Sequence, residues 1–253
     1  MDLIWLKFLM APVLIVVPIW LGKRIGIWYK KKMAGAEIAP LISVVGATLG
    51  YFAFMLAVTY QMTSTRFQAR KDLLLDDVSA ISAANMQIGL LEDSYQITCR
   101  KLILKYVDLL ILVPSEKGDN IKVGVDRAKQ TLDSLWLQAK TMSRENKAQG
   151  TAFASTVINL KQQFTRRVTV GIYSGIPVAI MVVLYLVACF TMLLVGFQFG
   201  ISGKSSVLPT LVLAITFSSV MWLIFALDHP ETGIIKLDQQ PMIELQKEIT
   251  RSF

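Results

Sequence analysis

The residues that most often carry catalysis or bind metals are scarce in this chain and are poorly placed to act together. His229 is the single histidine, so one chain cannot build a multi-histidine metal site, and nothing near it suggests a catalytic triad. The acidic pairs Asp76-Asp77 and Glu92-Asp93 are adjacent in sequence, which points the two carboxylates of each pair to different helix faces. We interpret them as solvated charges and expect no catalytic site, no metal site and no cofactor.

The two cysteines do not change this conclusion. Cys99 lies in a polar region and Cys189 in the middle of an apolar segment, and a structural disulfide between such different depths is implausible. Both are interpreted as small buried side chains. No glycine-rich phosphate loop follows a strand-like segment either, so the sequence does not predict an enzyme.

The composition indicates a membrane protein. Of the 253 residues, 54% are hydrophobic, and the formal net charge is +8; a soluble domain of this length is usually less apolar. The basic residues form no stripe interleaved with stacking aromatic residues, so no nucleic-acid partner is expected. The positive charge suits anionic lipid headgroups, and the expected partner is the lipid bilayer.

Four uncharged stretches account for the apolar composition. Ile38–Thr65, Val168–Gly203 and Ser205–Leu227 contain no Asp, Glu, Lys, Arg or His, and Phe8–Gly22 is a shorter fourth. Each of the three long stretches exceeds the roughly 20 residues that a helix needs to cross a bilayer core. We predict an all-α membrane protein with four transmembrane helices in two pairs, the first being an uncleaved helix over Leu3–Leu21.

None of the spans carries an interior charge, whereas proton-coupled pumps and transporters commonly place ionisable residues there. This leaves a passive pore or a membrane-anchored structural assembly. One face of the second span consists of small residues at spacings of three and four, which allow another helix to approach closely. These residues are Gly46, Gly50, Ala53 and Ala57. Packing within one chain and a role in a pore explain this face equally well.

The polar middle of the chain is predicted to be a helical bundle. Apolar residues recur there at spacings of three and four, and no Gly or Pro between Thr59 and Asp77 would end the second membrane helix before them. The first apolar series is Leu74, Val78, Ile81, Ile88 and Leu91. Further helices are predicted over Ser94–Val113, Val125–Met142 and Thr151–Arg167.

Two of these helices have a clear apolar face. The series are Ala128, Leu132, Leu135 and Trp136 in one helix, and Phe153, Val157, Leu160 and Phe164 in the next. Pro114–Asn120 is predicted to be a loop, because it is rich in turn residues. A short tail helix is predicted over Met242–Thr250.

The connections complete the layout. Lys23–Ala39 is predicted to be a short basic connection, Pro177 a kink in the third span, and Gln198–Lys204 a tight turn that makes the last two spans an antiparallel hairpin. The resulting segments are transmembrane helices 1 and 2 over 1–65, the bundle over 66–167, transmembrane helices 3 and 4 over 168–227, and a tail over 228–253.

Two motifs at the polar ends of spans resemble those of the bestrophin-like domain family of bacterial membrane proteins. The first joins Ser43-Val44-Val45-Gly46, at the start of the second span, to Arg66-Phe67 at its end and to Ser79-Ala80-Ile81 beyond. The second places Asp228, Pro230 and Gly233 after the last span. The two motifs are more than a hundred residues apart, and each falls where the family layout requires it.

This resemblance implies a fold of four membrane helices per subunit that continue into a cytoplasmic helical bundle. The more distant bestrophin channels are pentamers in which the second span lines an anion-conducting pore with an apolar neck. Carried over to this chain, the resemblance implies pore-lining residues that could gate by dewetting, and basic residues at the pore mouth. The former are Ala47, Tyr51, Phe54, Met55 and Val58, and the latter are Arg66, Arg70 and Lys71.

One family feature is incomplete. Animal bestrophins bind calcium with a cluster of acidic residues after the last span, whereas this chain offers only Asp228, Glu231 and Asp238. Three dispersed carboxylates are a poor site for an ion that takes six or more oxygens, so no calcium site is expected. Asp228 is instead expected to cap a helix or to pair with Arg66 or Arg70.

The membrane orientation is indicated in two opposite ways. By the positive-inside rule, the basic segment Lys23–Lys32 favours a cytoplasmic connection and an outer bundle. The resemblance implies the reverse, and basic residues also flank the spans on the bundle side. Following the resemblance, we predict a multi-pass protein of the bacterial inner membrane with a cytoplasmic bundle.

Two functional hypotheses follow. The first is a homo-oligomeric, pentameric ion channel that conducts small inorganic anions such as chloride. The second is a non-conducting membrane scaffold or receptor whose helical bundle recruits a partner, since packing alone also explains most of these features.

Overall fold

The structure is a computed structural model that describes residues 2–32, 39–113, 119–173, 176–203, 207–228 and 237–251. Within these ranges the chain is helical and contains no strand. The helices are α1 (Asp2–Lys32), α2 (Ala39–Ile88), α3 (Asp93–Leu112), α4 (Asp119–Glu145), α5 (Lys147–Tyr173), α6 (Val178–Ser202), α7 (Val207–Asp228) and α8 (Gln240–Arg251).

The chain divides into two compact units. The first, here called the membrane unit, comprises Met1–Phe67 and Gly175–Ile235, and the second, the bundle unit, comprises Gln68–Ser174 and Lys236–Phe253. Helix α2 begins in the membrane unit and ends in the bundle unit without a break. Its length of roughly 75 Å, at 1.5 Å per residue, far exceeds a bilayer core, so only its uncharged first half can lie in hydrocarbon.

The membrane unit is held together by direct backbone contact between α1 and α6. A Cβ atom on Gly22 would overlap the carbonyl oxygen of Leu193, and one on Gly196 would overlap that of Ile19. One turn further along each helix, a Cβ on Gly200 would lie only 2.8 Å from the Cα of Gly26. Each helix therefore contributes a Gly-x-x-x-Gly pair, the arrangement that lets membrane helices approach to van der Waals distance of their backbones.

These contacts also fix the direction of the helices. Ile19 lies beside Gly196 and Lys23 beside Gly200, so α1 and α6 run parallel. Helix α6 ends at Gly203, whose φ of 69° is a left-handed C-cap that glycine adopts without steric cost.

Helix α7 returns antiparallel to α6. The backbone N–H of Ile176, two residues before α6, donates to Oδ1 of Asp228 at the end of α7, at 3.3 Å. The core of the unit also receives Phe52 of α2, whose ring stacks at a tilt on Phe217 with centroids 4.9 Å apart. The predicted antiparallel hairpin of the last two spans is therefore confirmed.

The bundle unit has an apolar core of its own. Its helices α2 to α5 are joined by α8, whose apolar face is buried through Met242, Leu245 and Ile249. Gln246 fixes α8 to α3, because its Nε2 donates to Oδ1 of Asp108 at 2.6 Å. Of the series predicted as apolar faces, the residues fully buried in this core are Leu74, Ile81, Ile88, Leu91, Ala128, Leu132, Leu135, Phe153, Val157, Leu160 and Phe164.

Several predictions of local structure are confirmed. Helix α2 continues unbroken from the span into the bundle unit, and the predicted soluble helices and tail helix are present as α3, α4, α5 and α8. Their ends differ by a few residues. Most of the loop predicted over Pro114–Asn120 lies outside the described residues, but Asp119 and Asn120 already belong to α4.

Three local predictions are wrong. Pro177 does not kink a helix that began at Val168; α5 extends to Tyr173, and Pro177 precedes α6, because proline disfavours helical geometry in the residue before it. The basic segment from Lys23 to Lys32 is not a connection but the last part of α1. Trp136 is 37% exposed and does not belong to the buried face of α4.

Among the described helices, three are long and apolar enough to cross a membrane, namely α2, α6 and α7. Only the described residues bear on this comparison, and the fourth span predicted over Leu3–Leu21 in α1 is not confirmed by it.

We predict that Gly22→Ala and Gly196→Ala each destabilise the membrane unit, because the added methyl group meets the carbonyl oxygen of the partner helix. Overpacking of this kind typically costs about 1–3 kcal/mol. Thermal unfolding of the detergent-solubilised protein, followed by circular dichroism, should show a melting temperature lower by several degrees.

Ala179→Val is the control, because it adds methyl groups at an exposed position of α6. Equal melting temperatures for all three variants and the parent would contradict the close contact of α1 and α6.

Candidate pore helix and its surroundings

In the membrane unit, α2 buries a single narrow stripe. Val45, Phe52, Leu56, Thr59 and Thr63 are each less than 5% exposed, and their spacings of three, four and seven residues place them on one side of the helix. The two threonine hydroxyls donate to backbone carbonyls one turn earlier, at 2.8 Å each. The buried hydroxyl groups of the stripe are therefore hydrogen-bonded within α2 and need no partner from another subunit.

The residues predicted to line a pore lie mostly on the opposite side. Tyr51, Phe54 and Val58 are 53%, 62% and 40% exposed, and Ala47 is exposed as well. At 100° per residue, Phe54 lies about 200° from the buried Phe52. Met55 differs from these residues, since it is half-buried and packs against the core of the membrane unit. No contact in the subunit tests whether this face surrounds an axis.

A third side of α2 carries the small residues. Gly46, Gly50, Ala53 and Ala57 are all exposed, and a Cβ on either glycine would meet no atom within 4 Å. The described part of the chain therefore leaves this side uncovered. Among the described residues, none packs on this side as the first of the two explanations requires.

The basic residues predicted at the pore mouth follow the apolar half of α2. Arg66 and Arg70 are one turn apart and half-buried, whereas Lys71 is exposed on another side. Nη1 of Arg66 is buried and has no hydrogen-bond partner among the described residues. A guanidinium group with an unused donor is suited to an anion or a carboxylate.

Asp228, the first residue of the second family motif, ends α7. Its Oδ1 accepts the N–H of Ile176, so its carboxylate fixes the start of α6 to the end of α7. The expected role of Asp228 in capping is consistent with this contact, and its pairing with Arg66 or Arg70 stays a prediction. Pro230 and Gly233 lie outside the described residues.

A buried ion pair in the bundle unit contradicts the interpretation of Asp77 as a solvated charge. Oδ2 of Asp77 lies 2.8 Å from Nη1 of Arg167, and Asp77 is only 2% exposed. Nη2 of Arg167 donates to the carbonyl oxygen of Leu110 at 3.3 Å. The pair thus joins α2, α3 and α5. The sequence indicated this burial only through the position of Asp77, which lies three residues after Leu74 and four before Ile81, within the apolar face of α2.

Burial dominates the electrostatics of this pair. Desolvation raises the pKa of Asp77 above its ordinary value of 3.8, Arg167 opposes this effect, and the adjacent carboxylate of Asp76 adds to it. Burial also raises the pKa of Tyr106, which lies in the same core. The carboxylate of Asp77 is therefore less favourable in the folded protein than in water, although it has a partner.

The described residues offer little for other chemistry. No group of three or more His, Cys, Asp or Glu side chains among them could hold a metal ion. Cys99 is fully buried, and burial raises its pKa to about 11, so its thiol is protonated and unreactive at neutral pH.

Comparison with known proteins gives one family and one fold. The family profile of the Bestrophin-like domain matches residues 22–242. Similar solved structures include three single-residue variants of a bacterial bestrophin homologue from Klebsiella pneumoniae. They are 15%, 15% and 14% identical to this chain, cover 97% of it and 97%, 97% and 94% of their own chains, and have TM-scores of 0.68, 0.69 and 0.71. No curated protein matches.

We predict that Asp77→Ala destabilises the bundle unit by about 3 kcal/mol, because it leaves the partly buried guanidinium of Arg167 without its carboxylate partner. Asp76→Ala is the control, since the neighbouring Asp76 is exposed. Chemical unfolding of both variants measures the difference, and equal effects would contradict the importance of the pair.

The same group gives a pH dependence. Because the folded-state pKa of Asp77 is raised, the folded protein binds more protons than the unfolded chain between pH 3.8 and that higher value. The contribution of Asp77 to the free energy of unfolding therefore falls as the pH rises through this window. Asp77→Asn should remove that part of the pH profile, whereas Asp76→Asn should retain it.

Proposed function

Because the chain belongs to the bestrophin-like domain family, we propose that it is a homo-oligomeric ion channel that conducts anions through a pore lined by α2. The observation that carries this proposal is the exposure of α2. Only 17% of its most apolar segment is buried in the subunit, compared with 28% in α6 and in α7. A helix with so little cover in its own chain is the natural candidate to meet other subunits.

The two uncovered sides of α2 suit two different roles. The small residues Gly46 and Gly50 allow a neighbouring subunit to approach the backbone, while Tyr51, Phe54 and Val58 form an apolar neck around the axis. Such a constriction closes by losing its water and opens when it widens. We propose five subunits, as in the bestrophin channels that the family resembles.

The basic residues supply the proposed preference for anions. Arg66, Arg70 and Lys71 follow the neck on the same helix, and a ring of such charges raises the local concentration of anions. The unused donor of Arg66 supports this role. In this proposal the protein is a multi-pass protein of the bacterial inner membrane, α1 is its fourth span, and the bundle unit is cytoplasmic.

Purified protein in planar bilayers should carry single-channel currents, and Phe54→Ala should increase the conductance or the open probability, because it removes the most exposed ring of the neck. Tyr60→Ala is the matched control; Tyr60 is an exposed aromatic residue of α2 that lies about 150° around the helix from the middle of the predicted pore face.

Silence of correctly assembled oligomers across voltages and salts would count against a channel. A centre filled with lipid would favour the scaffold or receptor. Equal effects of Phe54→Ala and Tyr60→Ala on the current would contradict the assignment of the neck to the side of α2 that carries Phe54.

Selectivity is tested separately. With a salt gradient across the bilayer, the reversal potential should indicate a preference for chloride, and the combined variant Arg66→Gln, Arg70→Gln and Lys71→Gln should shift it toward that of a non-selective pore. The control removes three basic residues of α4, through Arg127→Gln, Lys129→Gln and Lys140→Gln. An unchanged reversal potential in the first variant would contradict the role of the basic residues.

A further inference from the structure

Helix α1 carries a ladder of alternating aromatic and cationic side chains that no part of the proposed channel uses. Trp20, Arg24, Trp28 and Lys32 follow one another at four-residue spacing. The guanidinium carbon of Arg24 lies 4.1 Å from the ring centroid of Trp20, and Nζ of Lys32 lies 5.1 Å from that of Trp28. Each cation therefore lies against the preceding indole ring, and the two cation–π contacts repeat one another.

The ladder is on the side of α1 that points away from the rest of the membrane unit. Gly22 and Gly26 are buried against α6, whereas Trp20 and Trp28 are 50% and 60% exposed. At 100° per residue, Arg24 lies about 160° from Gly22 around the helix. The cations of the ladder thus face the surroundings of the subunit.

The polarity of this exposed side changes along the helix. It begins with Val13 and Val17, which are 55% and 46% exposed, and continues through Trp20 to the exposed cations Arg24, Lys31 and Lys32. The change from aliphatic to aromatic to cationic side chains takes roughly 28 Å at 1.5 Å per residue. Membrane proteins show this order where a helix passes from hydrocarbon to headgroups, with tryptophan at the boundary.

Acidic residues are scarce in the described helices around this end of α1. Residues 13–32 contain five Lys and Arg and no Asp or Glu, and residues 176–227, which comprise α6 and all of α7 except its last residue Asp228, contain no Asp or Glu either. The ladder thus presents a positive surface beside exposed apolar side chains. An anionic group attached to an acyl chain matches both features.

We propose that the ladder, together with Lys31, is a binding site for the headgroup of an anionic phospholipid such as phosphatidylglycerol. The cations hold the phosphate, and the exposed faces of the indole rings contact the glycerol and the upper acyl chain. This site is independent of conduction, because it uses none of the residues proposed for the pore.

Native mass spectrometry of the purified protein in equimolar phosphatidylglycerol and phosphatidylcholine tests the site. The wild-type protein should retain phosphatidylglycerol preferentially. The variant Arg24→Gln, Lys31→Gln and Lys32→Gln should lose roughly 100-fold of the affinity, since each basic residue near an anionic lipid contributes about a fivefold factor.

The matched control removes the same three charges from exposed positions of α4, through Lys129→Gln, Lys140→Gln and Arg144→Gln, and should keep the preference. Trp28→Leu, which leaves every charge in place, should lower the affinity several-fold, so the site can be tested even where the triple variant fails to fold.

Three results would overturn the proposal. The wild-type protein could retain both lipids equally, or the control variant could lose as much phosphatidylglycerol as the ladder variant. Displacement of the lipid by inorganic phosphate at matched concentration would identify a site for soluble anions instead.

Discussion

The contact that organises the membrane unit is the one between the backbones of α1 and α6 at Gly22, Gly26, Gly196 and Gly200. In a membrane, apolar surface gains little from being covered by protein instead of lipid, so helices associate through close van der Waals packing. Glycine at the crossing permits such packing, and any larger residue separates the helices. Because the crossing makes α1 and α6 parallel, it also gathers the basic end of α1 beside the C-terminal end of α6, where Lys30 lies against Gly203.

Because α1 and α6 pack against each other, α2 buries only a small part of its surface in its own subunit. It contributes one buried stripe, with Phe52 against Phe217, and exposes its two other sides. The helix carries no charged residue before Arg66, so this part can lie in lipid. Its small residues allow another helix to approach its backbone closely. Charged residues begin directly after this apolar region, and Arg66 is the first of them. The proposed channel uses both halves of this pattern.

Periodicity predicted the bundle unit well, because an apolar residue every three or four positions has one physical explanation in a soluble helix, namely a buried face. It failed where a residue type contradicts the pattern. Asp77 lies within the apolar series and was judged by its charge and by its neighbour Asp76, although its position between Leu74 and Ile81 placed it in the core. Trp136 failed in the opposite way, since a large ring next to the buried face can lie over its edge, where Lys161 covers it at 5.8 Å from the centroid.

The glycines show why sequence spacing was less informative in the membrane unit. Gly22 and Gly26, Gly196 and Gly200, and Gly46 and Gly50 all have the same spacing, and this spacing indicates only that something approaches closely. The structure separates them, because the first two pairs contact each other while the third contacts no described residue. With α1 and α6 already occupied by one another, no glycine pair of the described chain is left for α2. In the proposed oligomer, this side of α2 packs against a second copy of the chain, by the same close helix packing that holds each subunit together.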